Sequence, residues 1–316
     1  VRDQWHTMTR TGRAPRLMNH RAEPFIELHP DDAAAHGIED QRLARLAGAG
    51  GDYVGRARLS RAQRRGELFV PIHWTDQFSG RARMGALLAG HADPLSGQPE
   101  TKHGAVALAP LASAWEATLV VADDLAVAPV WRDEVDYWAR IPLARAQRWQ
   151  LAGGEAPDWL DWAARRLGVA ASLWCDDPAR GRLRAAGLQA GRLRWWLMVG
   201  PPAELPGLAW LEARFSEAAS GEALSRGQRR RLLAGCDDGA GDSGPVVCSC
   251  HQVGQGSIVA AIREGEASVE ALGARLACGT QCGSCLPELK SLIEEHAEEE
   301  GSHVRVTPQP DAIDVA

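Results

Sequence analysis

Four cysteines near the end of the chain limit what it can fold into more than any other feature. They stand as Cys248-Ser249-Cys250 and Cys282-Gly283-Ser284-Cys285, with 31 residues between the two sets. Two close thiol pairs are what a metal centre requires, because thiolates are the ligands and several must converge. Cys278 joins them, so five of the seven cysteines fall between residues 248 and 285. Scattered, even-numbered cysteines would read as a secreted disulfide framework; this clustering reads as metal ligation in a reducing, cytoplasmic compartment.

Cys-X-Cys puts two sulfurs on one side of a short extended loop, since side chains alternate. Cys-X-X-Cys gathers two around a turn. Gly279 and Gly283 let backbone N–H groups approach the sulfurs, where they stabilise negative charge. Between the pairs, Ser257 to Arg263 and Ser268 to Leu276 read as short helices, each beginning with Ser. Leu286-Pro287-Glu288 opens a third, with Leu289, Leu292 and Ile293 as its apolar face. A module of roughly fifty residues has little core of its own, and a metal centre would brace it. Structural zinc and disulfides remain as alternatives. Zinc ribbons favour two to four residues between paired cysteines, so the single-residue gap at 248/250 argues against zinc. The fifth cysteine argues against disulfides.

The span from Val246 to about Ile293, with Cys-X-Cys followed by Cys-Gly-X-Cys and then Pro287, resembles the bacterioferritin-associated ferredoxin-like 2Fe–2S domain. The resemblance implies a small helical 2Fe–2S module with Cys248, Cys250, Cys282 and Cys285 as ligands. Cys278 falls outside that pattern and reads as a small buried residue near the cluster. His251 reads as a neighbour of the site or an exposed side chain, not a ligand.

The bulk numbers exclude some classes. A chain of 316 residues has room for two or three domains. A net charge of −6 gives no global electrostatic case for nucleic acid. No apolar run approaches the ~20 residues of a membrane span. The chain opens Val1-Arg2-Asp3-Gln4-Trp5, without an initiator Met, and enters a dense motif at once. It reads as a fragment lacking its amino-terminal part, so the absence of a signal peptide is uninformative.

Residues 1–112 read as β-rich. Glu23 to Leu28 is a strand candidate leading into the helix start His29-Pro30-Asp31-Asp32, with Ala33 to His36 as a short helix stopped by Gly37. Arg42 to Ala47 and Tyr53 to Leu59 flank the Gly-rich turn Gly48 to Asp52, a hairpin signal. Leu68 to Ile72 and Ala105 to Ala109 supply further strands, and many short strands point to a closed barrel. Residues 113–235 hold most of the twelve tryptophans and read as a small α+β domain. Its elements are a helix from Trp159 to Leu167, two antiparallel strands at Gly181 to Gly187 and Gly191 to Gly200, and a helix from Ser225 to Leu233 with Ser225 as N-cap. The tryptophans read as core. Residues 236–245 form a Gly-rich linker, residues 246–296 the cysteine module, and residues 297–316 an acidic, disordered tail.

The opening Trp5-His6-Thr7-Met8-Thr9-Arg10-Thr11 gathers hydroxyls, an imidazole and a guanidinium, the groups that phosphate oxygens need. On composition alone a solvated polar loop explains it as well. Further on stand Val70-Pro71-Ile72-His73-Trp74 and Asp93-Pro94-Leu95-Ser96-Gly97-Gln98-Pro99-Glu100-Thr101-Lys102. In this order the motifs of residues 1–110 resemble the carboxy-terminal dinucleotide-binding domain of molybdopterin oxidoreductases. That resemblance implies a double-psi β-barrel closing over bis-molybdopterin guanine dinucleotide with molybdenum, contacted by His6, Thr7, Thr9, Arg10, Gln98 and Lys102.

The whole arrangement, mostly β and then α, is similar to the carboxy-terminal portion of bacterial assimilatory nitrate reductase catalytic subunits. The resemblance implies that nitrate is the substrate and that a ferredoxin or an NAD(P)H-dependent flavoprotein delivers electrons to the 2Fe–2S module. A 4Fe–4S cluster and the molybdenum ligand would lie on the missing amino-terminal part. No catalytic acid or base is visible in the chain, and this stretch alone should be inactive. Two other readings stay open: another molybdopterin oxidoreductase such as a formate dehydrogenase, and a non-catalytic iron–sulfur carrier or docking protein.

Overall fold

The computed structural model describes residues 7–18, 20–101, 103–125, 134–201, 210–211, 214–215, 223–235, 244–251 and 253–301. It divides into two compact units, residues 1–242 and 243–316. The fold is mostly β, with a few helices.

The first unit opens with two single-turn helices, α1 (Met8–Thr11) and α2 (Pro15–Met18), then β1 (Phe25–Leu28) and α3 (Pro30–Ala35). Helix α3 begins where the His-Pro-Asp-Asp run places it. Pro30 occupies the first helical turn, the Asp31 N–H donates to His29 Nδ1 at 3.1 Å, and Asp31 and Asp32 lie at the positive end of the helix. Gly37, at φ +66°, turns the chain away. The expected hairpin forms as β2 (Leu43–Ala47) and β3 (Asp52–Leu59), with Ala47 opposite Asp52. With β4 (Leu68–Phe69) and β5 (Ala107–Pro110) they make a five-stranded sheet, order β4-β1-β3-β2-β5, in which β1 and β3 run parallel.

The next stretch holds more strands than its sequence indicates. Beyond β10 (Arg182–Gln189) and β11 (Arg192–Gly200), it contains β6 (Trp115–Ala122), β7 (Tyr137–Pro142), β8 (Ala146–Gly153) and β9 (Leu173–Asp177). These form an antiparallel sheet of order β7-β8-β6-β11-β10-β9. Burial on both faces hides β6, β7 and β8, whereas β9 is mostly exposed and has no buried face to mark it. In β6, Trp115, Ala117, Leu119 and Val121 enter one core and Val120 another, and the polar Glu116 and Thr118 are themselves buried, so polarity does not report exposure. Helix α4 (Trp159–Leu167) is capped by the Asp158 carboxylate and closed by Gly168. Its Trp159 and Trp162 pack with Trp115, Trp138, Trp149 and Trp195 as core, as expected, whereas Trp174 on β9 is 55% exposed and departs from that expectation. Helix α5 (Arg226–Ala234) carries the Ser225 cap in full, with Gln228 returning the bond to Ser225 N–H at 2.8 Å.

The two sheets share one unit, and a buried charge knot joins them. Arg56 on β3 donates to Glu23 at 2.8 Å and faces Glu116 of β6 at 3.1 Å. It also donates to the Gln41 carbonyl at 2.8 Å, and Tyr137 of β7 donates to Glu23 at 2.9 Å. Arg140 N–H donates to Phe78 O at 2.7 Å and Ser79 Oγ to Trp138 O at 2.9 Å, extending the join. Within the second sheet, a Cβ at Gly187 would overlap the Trp195 indole, and the ladder bulges between Gly187 and Leu188.

The second unit pairs β12 (Val246–Cys248) with β13 (Val253–Gly254), followed by α6 (Gln255–Arg263), α7 (Val269–Leu276) and α8 (Leu286–Gly301). Two expectations need correction. Helix α6 starts at Gln255, ahead of Ser257, because Gly254 is extended and Gln255 N–H donates to Pro245 O at 2.8 Å. Helix α8 continues to Gly301, into the stretch read as a disordered tail, because its glutamates are good helix formers. Residues 302–316 and most of the expected linker lie outside the described residues.

Candidate metal centre and cofactor-binding segment

In the second unit the cysteines stand on three short elements. Cys248 ends β12, Cys250 follows in the turn, and Cys285 immediately precedes α8, with its carbonyl accepting from Leu289 N–H at 2.9 Å. Cys248, Cys278 and Cys285 are buried with Val247, Ile258, Leu272 and Leu289, while Cys250 is half-buried and Cys282 exposed. None of the five is joined in a disulfide. The sulfur contact described runs between the motifs, from Cys250 Sγ to Cys282 Sγ at 3.2 Å. That is well beyond the ~2.05 Å of a disulfide.

Gly279 at φ +80° and Gly283 at φ +69° turn the second loop through the left-handed region. Gly283 lets Ser284 fold back until its hydroxyl lies 3.1 Å from Cys282 Sγ. Across the mouth, Thr280 Oγ1 donates to Ala277 O at 2.7 Å and lies 3.4 Å from His251 Nε2. His251 is exposed, and Cys278 leans its thiol toward Leu272 O at 3.5 Å.

The electrostatics are those of thiols held close to one another. The hydrogen bond with the Cys282 thiol pushes Cys250 above the ordinary thiol range, slight burial adds to it, and the neighbouring Cys282 and Cys248 charges add more. The Cys282 backbone N–H works the other way. Burial raises Cys278, and Cys248 again contributes. Removing protons from such a set needs a cation, which is how metal binding and thiol ionisation are linked. Among the described residues no three His, Cys, Asp or Glu side chains converge to hold a single ion. A two-iron centre asks less of each ion, since the thiolates are divided between the irons. The clustered cysteines outside any disulfide, the amide facing a sulfur and the hydroxyl on Cys282 fit such a centre.

In the first unit, Thr7 caps α1 and its hydroxyl lies 2.9 Å from that of Thr9. Thr9 and Arg10 face solvent, while Met8, Thr11 and Gly12 are buried. A Cβ on Gly12 would meet the Phe78 ring, so α1 sits directly on that side chain. Trp74, 2% exposed, belongs to the same core as Met8, and its Nε1 has no hydrogen-bond partner among the described residues; nor has Thr75 Oγ1. Solvent-facing hydroxyls and a guanidinium over a buried base fit a ligand rich in phosphate oxygens.

Gln98 lies on a separate loop that closes on itself. The Asp93 carboxylate accepts from Leu95 N–H, Ser96 N–H and Ser96 Oγ, bonds that hold it below the usual carboxylate range, and Gly97 takes φ +68°. The loop surrounds a shallow cavity of about 470 Å³ lined by His91, Asp93, Ser96, Gln98 and Glu100 among others. No described hydrogen bond joins Gln98 to Thr7, Thr9 or Arg10. His6 and Lys102 lie outside the described residues.

Comparison with known proteins speaks to both regions. Residues 1–105 match the molydopterin dinucleotide binding domain, and residues 246–295 match the BFD-like [2Fe-2S] binding domain. The chain carries both domains. These two domains account for molybdopterin dinucleotide and 2Fe–2S as its cofactors. Over 93% of its length the chain is 38% identical to a nitrate reductase of Klebsiella oxytoca, spanning 33% of that protein. Over 35% of its length it is 32% identical to the assimilatory nitrate reductase catalytic subunit of Bacillus subtilis (strain 168), spanning 15% of it. Over 23% it is 35% identical to the F420-dependent formate dehydrogenase subunit alpha of Methanocaldococcus jannaschii, spanning 11%. The chain thus spans about a third of the first of these relatives and less of the others. Among the described residues no helix is long and apolar enough to cross a membrane.

Sequence reasoning did not single out Ser284 or the His251–Thr280 contact. The signal for the first was present, a hydroxyl residue between two ligand-type cysteines. The second joins residues 29 apart in sequence and had none.

Proposed function

We propose that this chain is the carboxy-terminal part of a cytoplasmic, assimilatory, molybdenum-dependent nitrate reductase. In this reading residues 1–112 form the dinucleotide-binding domain, a double-psi barrel, and residues 113–235 a connecting domain. Residues 236–245 are the linker to an electron-entry module at 246–296. The parallel β1–β3 pair within a mixed sheet is compatible with that barrel. His6, Thr7, Thr9, Arg10, Gln98 and Lys102 bind and orient the dinucleotide through its phosphates and polar edges. Cys248, Cys250, Cys282 and Cys285 hold the 2Fe–2S centre, and the exposed Cys282 side of the module is where a ferredoxin or flavoprotein donor delivers electrons.

When bound, the molybdenum cofactor supplies the two-electron redox chemistry that converts nitrate to nitrite. The chain's own residues anchor it and keep its nucleotide end in place; none of them acts as acid or base. The observation that carries the reading is the meeting of Cys250 and Cys282 at 3.2 Å, from motifs far apart in sequence, in a chain that also carries the dinucleotide domain.

The test is to purify the full natural gene product and measure molybdenum, guanine nucleotide, iron, nitrate reduction and formate oxidation together. All three constituents with nitrate reduction are expected. Formate oxidation without nitrate reduction would favour the formate dehydrogenase reading, which the 72-residue similarity keeps in view. Iron without molybdenum or nucleotide would favour an electron carrier.

A further inference from the structure

We infer that the Ser284 hydroxyl donates a hydrogen bond to the Cys282 sulfur and thereby raises the reduction potential of the iron–sulfur centre. The inference rests on the 2Fe–2S reading of the module and assigns a role to a residue that is not one of its ligands.

The geometry is local and directional. Ser284 Oγ lies 3.1 Å from Cys282 Sγ, and between two neutral groups either atom can be the donor. Metal ligation removes that ambiguity. A ligating cysteine is a thiolate with no proton, so only the serine can donate. The backbone enforces the approach: Gly283, at φ +69°, makes the left-handed turn, and Leu286 N–H closes it on Gly283 O at 3.1 Å. A side chain at 283 would be strained there.

The sign follows from charge. One-electron reduction adds negative charge to the centre, part of which the sulfurs carry. A donor on sulfur stabilises the reduced form more than the oxidised form, and hydrogen bonds to sulfur are a recognised determinant of cluster potential. The Cys282 amide facing Cys250 acts similarly, but Ser284 is a side-chain donor to the exposed cysteine, the one a redox partner can approach. Because Cys282 is exposed, water offers partial replacement, which limits the effect to about threefold to tenfold in the reduction equilibrium; tenfold is about 59 mV for a one-electron couple.

The experiment is a mediated redox titration of the full-length holoenzyme with dithionite as electron source, following the reduced cluster by EPR. The set is wild type, Ser284→Ala, Ser284→Val and Ser284→Thr. The Ala and Val variants are expected to titrate lower by the stated factor and Thr close to wild type, with iron content unchanged throughout. Deuterium exchange should remove a hydroxyl coupling at the reduced cluster in wild type and Thr, beside the amide couplings common to all variants, and that coupling should be absent in Ala and Val. Equal potentials for Thr and Val, or survival of that coupling in Ala, would overturn the inference. A wild-type protein with no 2Fe–2S signal at all would instead overturn the reading beneath it. Should Ala lose iron, the Thr and Val pair, alike in shape and different in the hydroxyl, carries the comparison.

Discussion

The two units concentrate polar groups in opposite ways. In the first, Arg56 sits between Glu23 and Glu116 and donates to the Gln41 carbonyl, while Tyr137 donates to Glu23. In the second, the Cys250 and Cys282 thiols from two motifs face one another, and the Cys282 and Cys248 charges raise Cys250. Burial alone would raise Glu23, but the Arg56 guanidinium overrides it and holds the carboxyl below its usual range, with Arg148 and Tyr137 assisting. Burial pushes Tyr137 well up, and the Glu23 charge adds to it. The first cluster is complete from the protein alone; the second calls for a cation.

The contrast breaks most visibly at Cys282. Cys282→Ser should bleach the visible absorption, remove most of the iron and abolish electron entry from the natural donor, while turnover with a dye feeding electrons further inward survives. Undiminished natural-donor turnover would show that electrons enter elsewhere. Arg56→Leu probes the other side: it leaves two buried carboxylates without their cation, and a loss of about 3–5 kcal/mol in denaturant titration is expected. The iron spectrum should persist in that variant before the first unit unfolds.

Acid should separate the clusters more gently. Glu23 is depressed, so its contribution is fully present above its ordinary range and is lost as pH falls through its folded value, below the usual carboxylate range. Glu23→Gln should flatten that acid limb of the stability curve; an unchanged slope would detach the knot from acid sensitivity. The smallest effect is expected from Cys278→Ser, which should leave iron stoichiometry intact and lower stability modestly. Loss of half the iron would make Cys278 a ligand.

How much of this is legible in the sequence depends on how local each cause is. Ser225 with Gln228, Asp158, and the His-Pro-Asp-Asp run announce their helices because a cap is settled within four residues. The hairpin at 43–59 shows through its Gly-rich turn. Strands β6 to β8 do not show, because burial on both faces uncouples polarity from exposure, and β9 does not because it is mostly exposed. The charge knot is equally silent: Glu23, Arg56, Glu116 and Tyr137 come from four separate places, and each alone reads as an ordinary residue. The cysteine spacing marks two close pairs, but not that the described contact crosses between motifs, nor that Ser284 turns back onto one of them.

Gly187 has a consequence for how the larger sheet assembles. The Trp195 indole occupies the place its side chain would need, and donates from Nε1 to Val169 O at 2.8 Å. Sliding β10 past β11 by one or two positions would bring Ala186, Leu188 or Ala185 under that ring, where none fits. The missing atom therefore works as a keyway: it admits a single alignment of the hairpin and rejects its near misses while the strands are still searching for one another.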